Sequence, residues 1–330
     1  MTVAASRLSH LEVGSLDPPP RLIMNPRAGQ KLGLQTNEAG VDAVQAALAK
    51  AGIQVVLQPT QRPKHATELA QAAVRDGCKL VIAAGGDGTV AEAGEGVVNT
   101  DTALGIMPLG SIMNMARTLC IPRDLSRAAA VIAAGQVIAM DVGQVGRAHY
   151  LEAGGVGLAA ALFGYFERVD SGRTRLRAAL RSALRYVRHV GTPRLRLEID
   201  GERSDVRAAM VTVSNGPFVG AAYALAPQAR IDDGLLDVVV FSGAGVARVL
   251  FHLVLVAGGR RLPPPPEAQV TRARTVTVQT RGRRRLPVHA DGSVVGSTPA
   301  HFEVIPAALR VLVGEPEPGA TCAWERDAAG

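Results

Sequence analysis

The sequence predicts an α/β protein of two domains, the first built on a parallel sheet and the second mostly antiparallel. Three observations predict it. Strand-like and helix-like segments alternate from Arg21 to about Gly135. The apolar run Leu80–Ala84 breaks into Gly85-Gly86-Asp87-Gly88-Thr89 just where a helical pattern begins. Beyond about Val137 the pattern changes to short alternating runs punctuated by Asp-Gly pairs.

Residues 1–20 lack a charged start followed by an apolar core, and they end in Asp17-Pro18-Pro19-Pro20. They predict a flexible lead-in and no secretory signal. The first domain is expected over 21–136. Its strands are expected at Arg21–Asn25, Gln54–Gln58, Lys79–Ala84 and Ala103–Met107. Its helices are expected at Glu38–Ala51, Lys64–Asp76, Thr89–Val98, Ser111–Leu119 and Leu125–Ala134. In a parallel sheet of this kind, ligands bind beyond the carboxyl ends of the strands. Asn25, Thr60, Asp87 and Gly110 each follow an expected strand and should therefore line one crevice.

The second domain is expected over 137–305. Alternating runs occur at Ile138–Val145, Leu195–Ile199, Val206–Val213, Leu236–Phe241, Thr275–Gln279, Leu286–Ala290 and Phe302–Ile305. Asp200-Gly201 and Asp291-Gly292 read as hairpin turns. Two helical insertions are expected, an arginine-rich one at Arg173–His189 and a strongly apolar one at Ala244–Ala257, followed by a rigid loop of four prolines at 263–266. The closing segment, 306–330, is expected to return to the first domain.

Composition bounds the function. The chain has 330 residues, 47% hydrophobic and 20% charged, enough to bury a sizeable core. Its net charge of +7 favours anionic partners such as nucleotides, acidic lipid headgroups or nucleic acid. Aromatics make up 3% of the residues, too few for base stacking, and no nucleic-acid recognition motif is present, which argues against the last. Cys78, Cys120 and Cys322 are too few and too scattered for a disulfide framework or a zinc site, which fits a reducing cytoplasm. The apolar run Val249–Gly258 is interrupted by His252 and is about half the ~20 residues of a membrane span.

The glycine-rich turn carries the chemistry. Glycines between strand and helix let backbone N–H groups approach an anion, and the helix N-terminus adds a favourable dipole. Asp87 inside the loop adds a group able to manage a metal or a proton, so ATP-dependent phosphoryl transfer is the expected reaction. The plain alternative is a tight strand–helix connection with Thr89 as cap. Asn25-Pro26-Arg27-Ala28-Gly29 alone is a turn, Glu92 alone favours a first helical turn, and Asp232-Asp233-Gly234 alone is another turn.

Taken in order, these segments resemble one family. Asn25-Pro26-Arg27-Ala28-Gly29, Thr60 ahead of His65-Ala66, Gly85–Thr89 with Glu92, Pro108-Leu109-Gly110-Ser111, Ala229–Asp237, Asp291-Gly292 and Pro306–Val313 resemble the diacylglycerol kinase and sphingosine kinase-like lipid kinases, in particular their bacterial branch. The resemblance implies a nucleotide-binding α/β domain and a C-terminal β-sandwich domain for the lipid. It implies ATP and Mg²⁺ as cofactors. It assigns Asn25, Pro26, Gly29, Thr60, Gly85, Gly86, Gly88, Thr89, Glu92, Gly110 and Ser111 to the nucleotide. It gives catalytic parts to Asp87 and Asp291, and a magnesium site to Asp232, Asp233 and Asp237.

The chain departs from the family at three places. Ser293 follows Asp291-Gly292 where the family has Glu, a favoured general base. Ile112 and Met113 replace Gly and Asn after Ser111, and Asn114 falls on an Asp position. Ala91 stands where Asn is common. Because the loose transition state of phosphoryl transfer asks little of a base, Ser293 predicts a slow enzyme before a dead one. The expected function is thus an ATP- and Mg-dependent lipid kinase at the cytoplasmic face of a membrane, monomeric or homodimeric. A catalytically weakened nucleotide- or lipid-binding homologue is the alternative, and an NAD kinase a more distant one. In Arg173–His189, Leu180, Leu184 and Val187 share a helical face edged by arginines, suited either to anionic lipid or to packing on the second domain. Val249–Val256 suits a lipid-tail groove or core.

Overall fold

The structure is a computed structural model that describes residues 8–28, 30–31, 34–35, 40–163, 178, 181, 191–220, 224–242, 245–257, 262–263, 267–316 and 322–324. Gly29, most of Arg173–His189 and residues 264–266 lie outside the described residues. The chain divides into two compact units: Met1–Val142 with Ile231–Asp233 and Pro306–Gly330, and Gly143–Arg230 with Gly234–Ile305.

In the first unit, Arg21–Met24 lies between Val56–Pro59 and Leu80–Gly85, and Ala103–Pro108 lies beyond the latter, all parallel. Val311 adds a further parallel strand beside Leu104. Leu80–Gly85 and Ala103–Pro108 are buried at every position, as continuous apolar runs covered on both faces should be. Helices Val41–Lys50, His65–Arg75, Asp87–Val97 and Leu125–Ala134 supply the crossovers. The last starts on an Asp124 side chain that accepts the Arg127 N–H and stops at Gly135 in the left-handed region, the expected start and stop chemistry.

Three expectations for this unit are corrected. The lead-in is ordered from residue 8: Ser9 and His10 pair with Val137 and Gln136, the Leu11 N–H donates to the Gly135 carbonyl, and Val13 is buried. The helix expected from Ser111 starts at Asn114 and ends at Thr118. The cysteines are not all free: Cys120 and Cys322 form a disulfide across 202 residues, leaving Cys78 as a buried thiol, so cysteine usage does not argue for a reducing compartment. Distance along the chain does not forbid this pair, because the C-terminal segment comes back to the first unit. The Ile231 N–H donates to the Ala323 carbonyl at 2.9 Å, and Trp324 is buried.

The second unit is antiparallel. Ala153–Gly157 lies between Glu202–Ser214 and Pro287–Ala290, Arg194–Ile199 between Glu202–Ser214 and Thr275–Thr280, and Leu236–Ser242 between Glu202–Ser214 and Gln269–Ala273. Ala148–Tyr150, Ala153–Gly157, Gln269–Ala273 and Ser293–Ser297 are strands that the alternation did not reveal. Glycine, alanine or exposed polar residues fill much of them, so the apolar signal is weak. Both Asp-Gly pairs are two-residue hairpin turns, with Ile199 opposite Glu202 and Ala290 opposite Ser293 and positive φ at all four turn residues. Strand alternation sorts side chains into two cores: Val211, Val213, Val238 and Val240 join one, and Met210, Val239 and Phe241 join the other. Helix Val246–Ala257 packs Val246, Val249 and Val256 into the second.

Candidate active site

The parallel strands of the first unit end in step. Met24 is level with Pro59 and Ala84, and Gly85 with Pro108, so the loops after all four strands leave from one edge. Asn25, Thr60, Gly86 and Leu109 are the first residues out. The Asn25 N–H donates to the Ala84 carbonyl at 2.9 Å, and the Thr60 N–H to the Met24 carbonyl at 2.8 Å. The Asn25 side chain ties two loops together, its Nδ2 donating to Thr89 Oγ1 at 3.4 Å while its Oδ1 accepts the Arg27 N–H at 3.0 Å. Pro26 is exposed in that turn.

Close backbone approach explains two of the glycines. A Cβ on Gly110 would lie 2.6 Å from the Gly86 Cα, and one on Gly85 would lie 2.5 Å from the Thr89 side chain. Gly110 also donates its N–H to the Gly85 carbonyl at 3.2 Å. Two loops that the sequence keeps far apart are thus stacked backbone on backbone. The Arg123 guanidinium locks the second loop, donating to the carbonyls of Ser111 at 2.9 Å and Gly110 at 2.6 Å. Sequence reasoning missed Arg123, since nothing in an isolated arginine signals a partner twelve residues back.

Helix Asp87–Val97 begins at Asp87 with Gly86 in the cap position, so Thr89 is not its cap. Gly88 is exposed in the first turn, where backbone N–H groups have no intrahelical acceptor. Asp87 is half-buried, and its carboxylate accepts the N–H groups of Met113 at 2.9 Å and Met115 at 3.3 Å. Met113 takes positive φ to present its N–H. This contact shortens the expected Ser111–Leu119 helix: residues 111–113 form a turn bound to Asp87, and Asn114, buried, opens the helix.

Glu92 ties two helices together. Its Oε1 accepts the Lys64 N–H at 2.9 Å and its carbonyl accepts the Thr67 hydroxyl at 2.8 Å, so it fixes the start of helix His65–Arg75. His65 likewise holds the local turn, its Nδ1 accepting the Gln61 N–H at 3.1 Å.

In the second unit Asp291 is an anchor. Its Oδ2 accepts the Leu151 N–H at 2.6 Å, and its Oδ1 accepts those of Glu152 at 2.9 Å and Ala153 at 3.1 Å. Three donors on one carboxylate argue for a fixed turn over proton shuttling. Ser293 begins the next strand and is exposed. Nearby, Tyr150 is buried, and its hydroxyl is pushed well above the ordinary phenol range by burial first and by the Asp291 charge second.

The acidic turn is not assembled as a trio. Asp232 and Asp233 belong to the first unit and Asp237 to the second, where it is 3.8 Å from Arg272 in an ion pair. Among the described residues no group of three or more His, Cys, Asp or Glu side chains converges as a metal site. The physical reason lies in the strand that opens at Leu236. It sets Asp237 level with Arg272 and Ser214, while Ile231, just before Asp232, is held by Asp141 and Ala323. Such a donor set does not build a protein cage for Mg²⁺. It suits an ion carried mainly by nucleotide phosphates and water with few carboxylates.

His289, missed from sequence, is fully buried with neither ring nitrogen hydrogen-bonded, and burial pushes it down from 6.5 to about 3. The folded protein therefore holds it neutral where the unfolded chain protonates. Its contribution is complete above pH 6.5 and is lost as pH falls from there toward 3, by up to about 1.4 kcal/mol per pH unit. Urea midpoints measured between pH 7 and 5 should fall with acidification, and His289→Asn should flatten that fall. An unchanged slope would refute the assignment.

Two family models together match most of the chain. Residues 19–145 match the diacylglycerol kinase catalytic domain, and residues 158–313 match the YegS C-terminal NAD kinase beta sandwich-like domain. The chain is 24% identical over 293 residues to a diacylglycerol kinase of Staphylococcus carnosus, covering 86% of this chain and 90% of that protein. It is 28% identical over 271 residues to a probable lipid kinase YegS of Escherichia fergusonii, covering 78% and 86%. A crystal structure of a putative diacylglycerol kinase from Bacillus anthracis superposes with a TM-score of 0.70 at 24% identity, over 90% of this chain and 97% of that one, a likeness of fold.

Proposed function

The chain belongs to the diacylglycerol kinase-like lipid kinases, and from that premise we propose that it transfers the γ-phosphoryl group of ATP to the hydroxyl of diacylglycerol or a related lipid alcohol. The observation that carries this reading is the joining of the 85–89 and 110–115 loops through Asp87, with Asn25 tied to Thr89.

In this reading the N–H groups opening helix Asp87–Val97 and the glycine-lined turn receive the phosphates. Gly85, Gly86, Gly88 and Gly110 leave the backbone bare enough for that approach. Asn25 with Pro26, Thr60, Thr89 and Ser111 border the same edge. Asp87 positions the 113–115 turn and sets a negative charge at the helix start. Mg²⁺, when bound with the nucleotide, supplies neutralisation of phosphate charge. Asp87 is the carboxylate of the first unit proposed to face its water shell. The reaction belongs at the cytoplasmic side of a membrane, with either one copy or a homodimer as the working form. No helix among the described residues is long and apolar enough to cross a bilayer.

The test is transfer of radiolabel from ATP to a mixed lipid extract, run beside Ser293→Glu. The wild type should label a lipid slowly, and Ser293→Glu should do so about 10²-fold faster if a restored base contributes at the low end of its usual range. ATP binding with no transfer by either variant would reject the kinase. It would favour the weakened binding homologue, which Ser293 and the anchored Asp291 specifically motivate.

A further inference from the structure

Helix Val246–Ala257 is apolar on its outer side as well as its inner one. Only Arg248 and His252 among its 12 residues are polar. Val246, Val249 and Val256 are buried beneath it, yet Phe251 is 58% and Val254 68% exposed. Ala247 and Arg248, one turn earlier, are exposed as well. A helix that covers a core normally turns charge toward water at such positions. Here one of the chain's six phenylalanines stands there instead. Adjacent exposed apolar side chains of this size mark a surface that meets something.

The surrounding charge says what. The helix carries no acidic residue, Arg248 is 64% exposed, and the sequence runs on to Arg260-Arg261 in a chain of net charge +7. The local counter-charge is Glu267, 25% exposed, which lies 2.7 Å from both Arg248 and His252. An apolar face edged by an exposed arginine, in a chain of net charge +7, suits a helix resting on an anionic bilayer.

We propose that the outward face of helix Val246–Ala257, centred on Phe251 and Val254 with Arg248 at its edge, docks the protein on an anionic lipid surface. The inference rests on the lipid-kinase reading, because an enzyme with a bilayer-held acceptor must reach the bilayer. Two side chains insert shallowly, so docking is reversible and the protein can leave while its lipid product stays in the bilayer.

The test uses the full chain and sedimentation with sucrose-loaded vesicles of phosphatidylglycerol and phosphatidylcholine, or of phosphatidylcholine alone. Wild type should pellet with the anionic vesicles. The double substitution Phe251→Ser with Val254→Ser should lower the partition coefficient by about tenfold or more. It should phosphorylate detergent-dispersed diacylglycerol at the wild-type rate, which also shows that it is folded. Equal pelleting of the two proteins overturns the proposal. So does a wild type that stays in the supernatant, including one whose dimer the double substitution dissolves, since a second copy would then cover this face. Vesicle binding that depends on Phe251 and Val254, in a protein that labels no lipid, upholds the docking face and rejects the kinase reading.

Discussion

Replacing Asp87 by asparagine should lower lipid phosphorylation by about 10²–10³-fold, the cost typical of removing one preorganised group that stabilises transition-state charge. Two losses combine. The substitution removes a negative charge from the start of helix Asp87–Val97, where an anion is favoured. It also turns one carboxylate acceptor into an N–H₂ donor facing the backbone N–H of Met113 or Met115. Leaving such a donor unpaired costs about 1–3 kcal/mol, enough to move the turn that carries Ser111. The measurement is steady-state kinetics on protein with an unchanged far-UV circular dichroism spectrum. An Asp87→Asn protein with the wild-type rate would remove the basis of the proposed mechanism.

Breaking the Cys120–Cys322 bond should produce the largest loss of stability. A bridge across 202 residues restricts the unfolded chain strongly, and chain-entropy arguments put such a loop at about 5 kcal/mol, with about 2–5 kcal/mol usual for native disulfides. The local packing depends on it too. Trp324 is buried two residues beyond Cys322, and the Gly314 N–H donates to the Leu119 carbonyl beside Cys120. The denaturation midpoint should fall with reductant in the wild type, while Cys120→Ser should start low and ignore reductant. Thiol titration in denaturant should find only Cys78 before reduction and all three cysteines after it. Three thiols without reductant would show that the bond does not form.

The fold was legible where local chemistry and burial agree. The strands expected at Lys79–Ala84 and Ala103–Met107, observed at Leu80–Gly85 and Ala103–Pro108, were legible because nearly every residue is apolar or small, and both Asp-Gly turns read as hairpins because few other pairs take positive φ twice. The strand Ala153–Gly157 was illegible for the converse reason. Three of its five residues are glycines, whose value lies in what packs over them: the Tyr150 and Phe302 rings over Gly154, and the His289 ring over Gly155. A sequence does not display such neighbours.

The candidate site divides the same way. By itself the sequence determined which strand ends carry loops, that the third loop is rich in glycine, and which family's order of motifs it follows. These depend on residue type and spacing alone. Only the tertiary structure decided what each polar side chain is bonded to. It gave Asp87 to the backbone of Met113 and Met115, Glu92 to the start of a neighbouring helix, Asp291 to three amides, and Cys120 to the far end of the chain. A carboxylate or thiol carries the same letter whether it meets substrate, backbone or a partner 202 residues away. Folding chooses among these by satisfying buried donors and acceptors across the whole chain, a constraint that no local stretch contains.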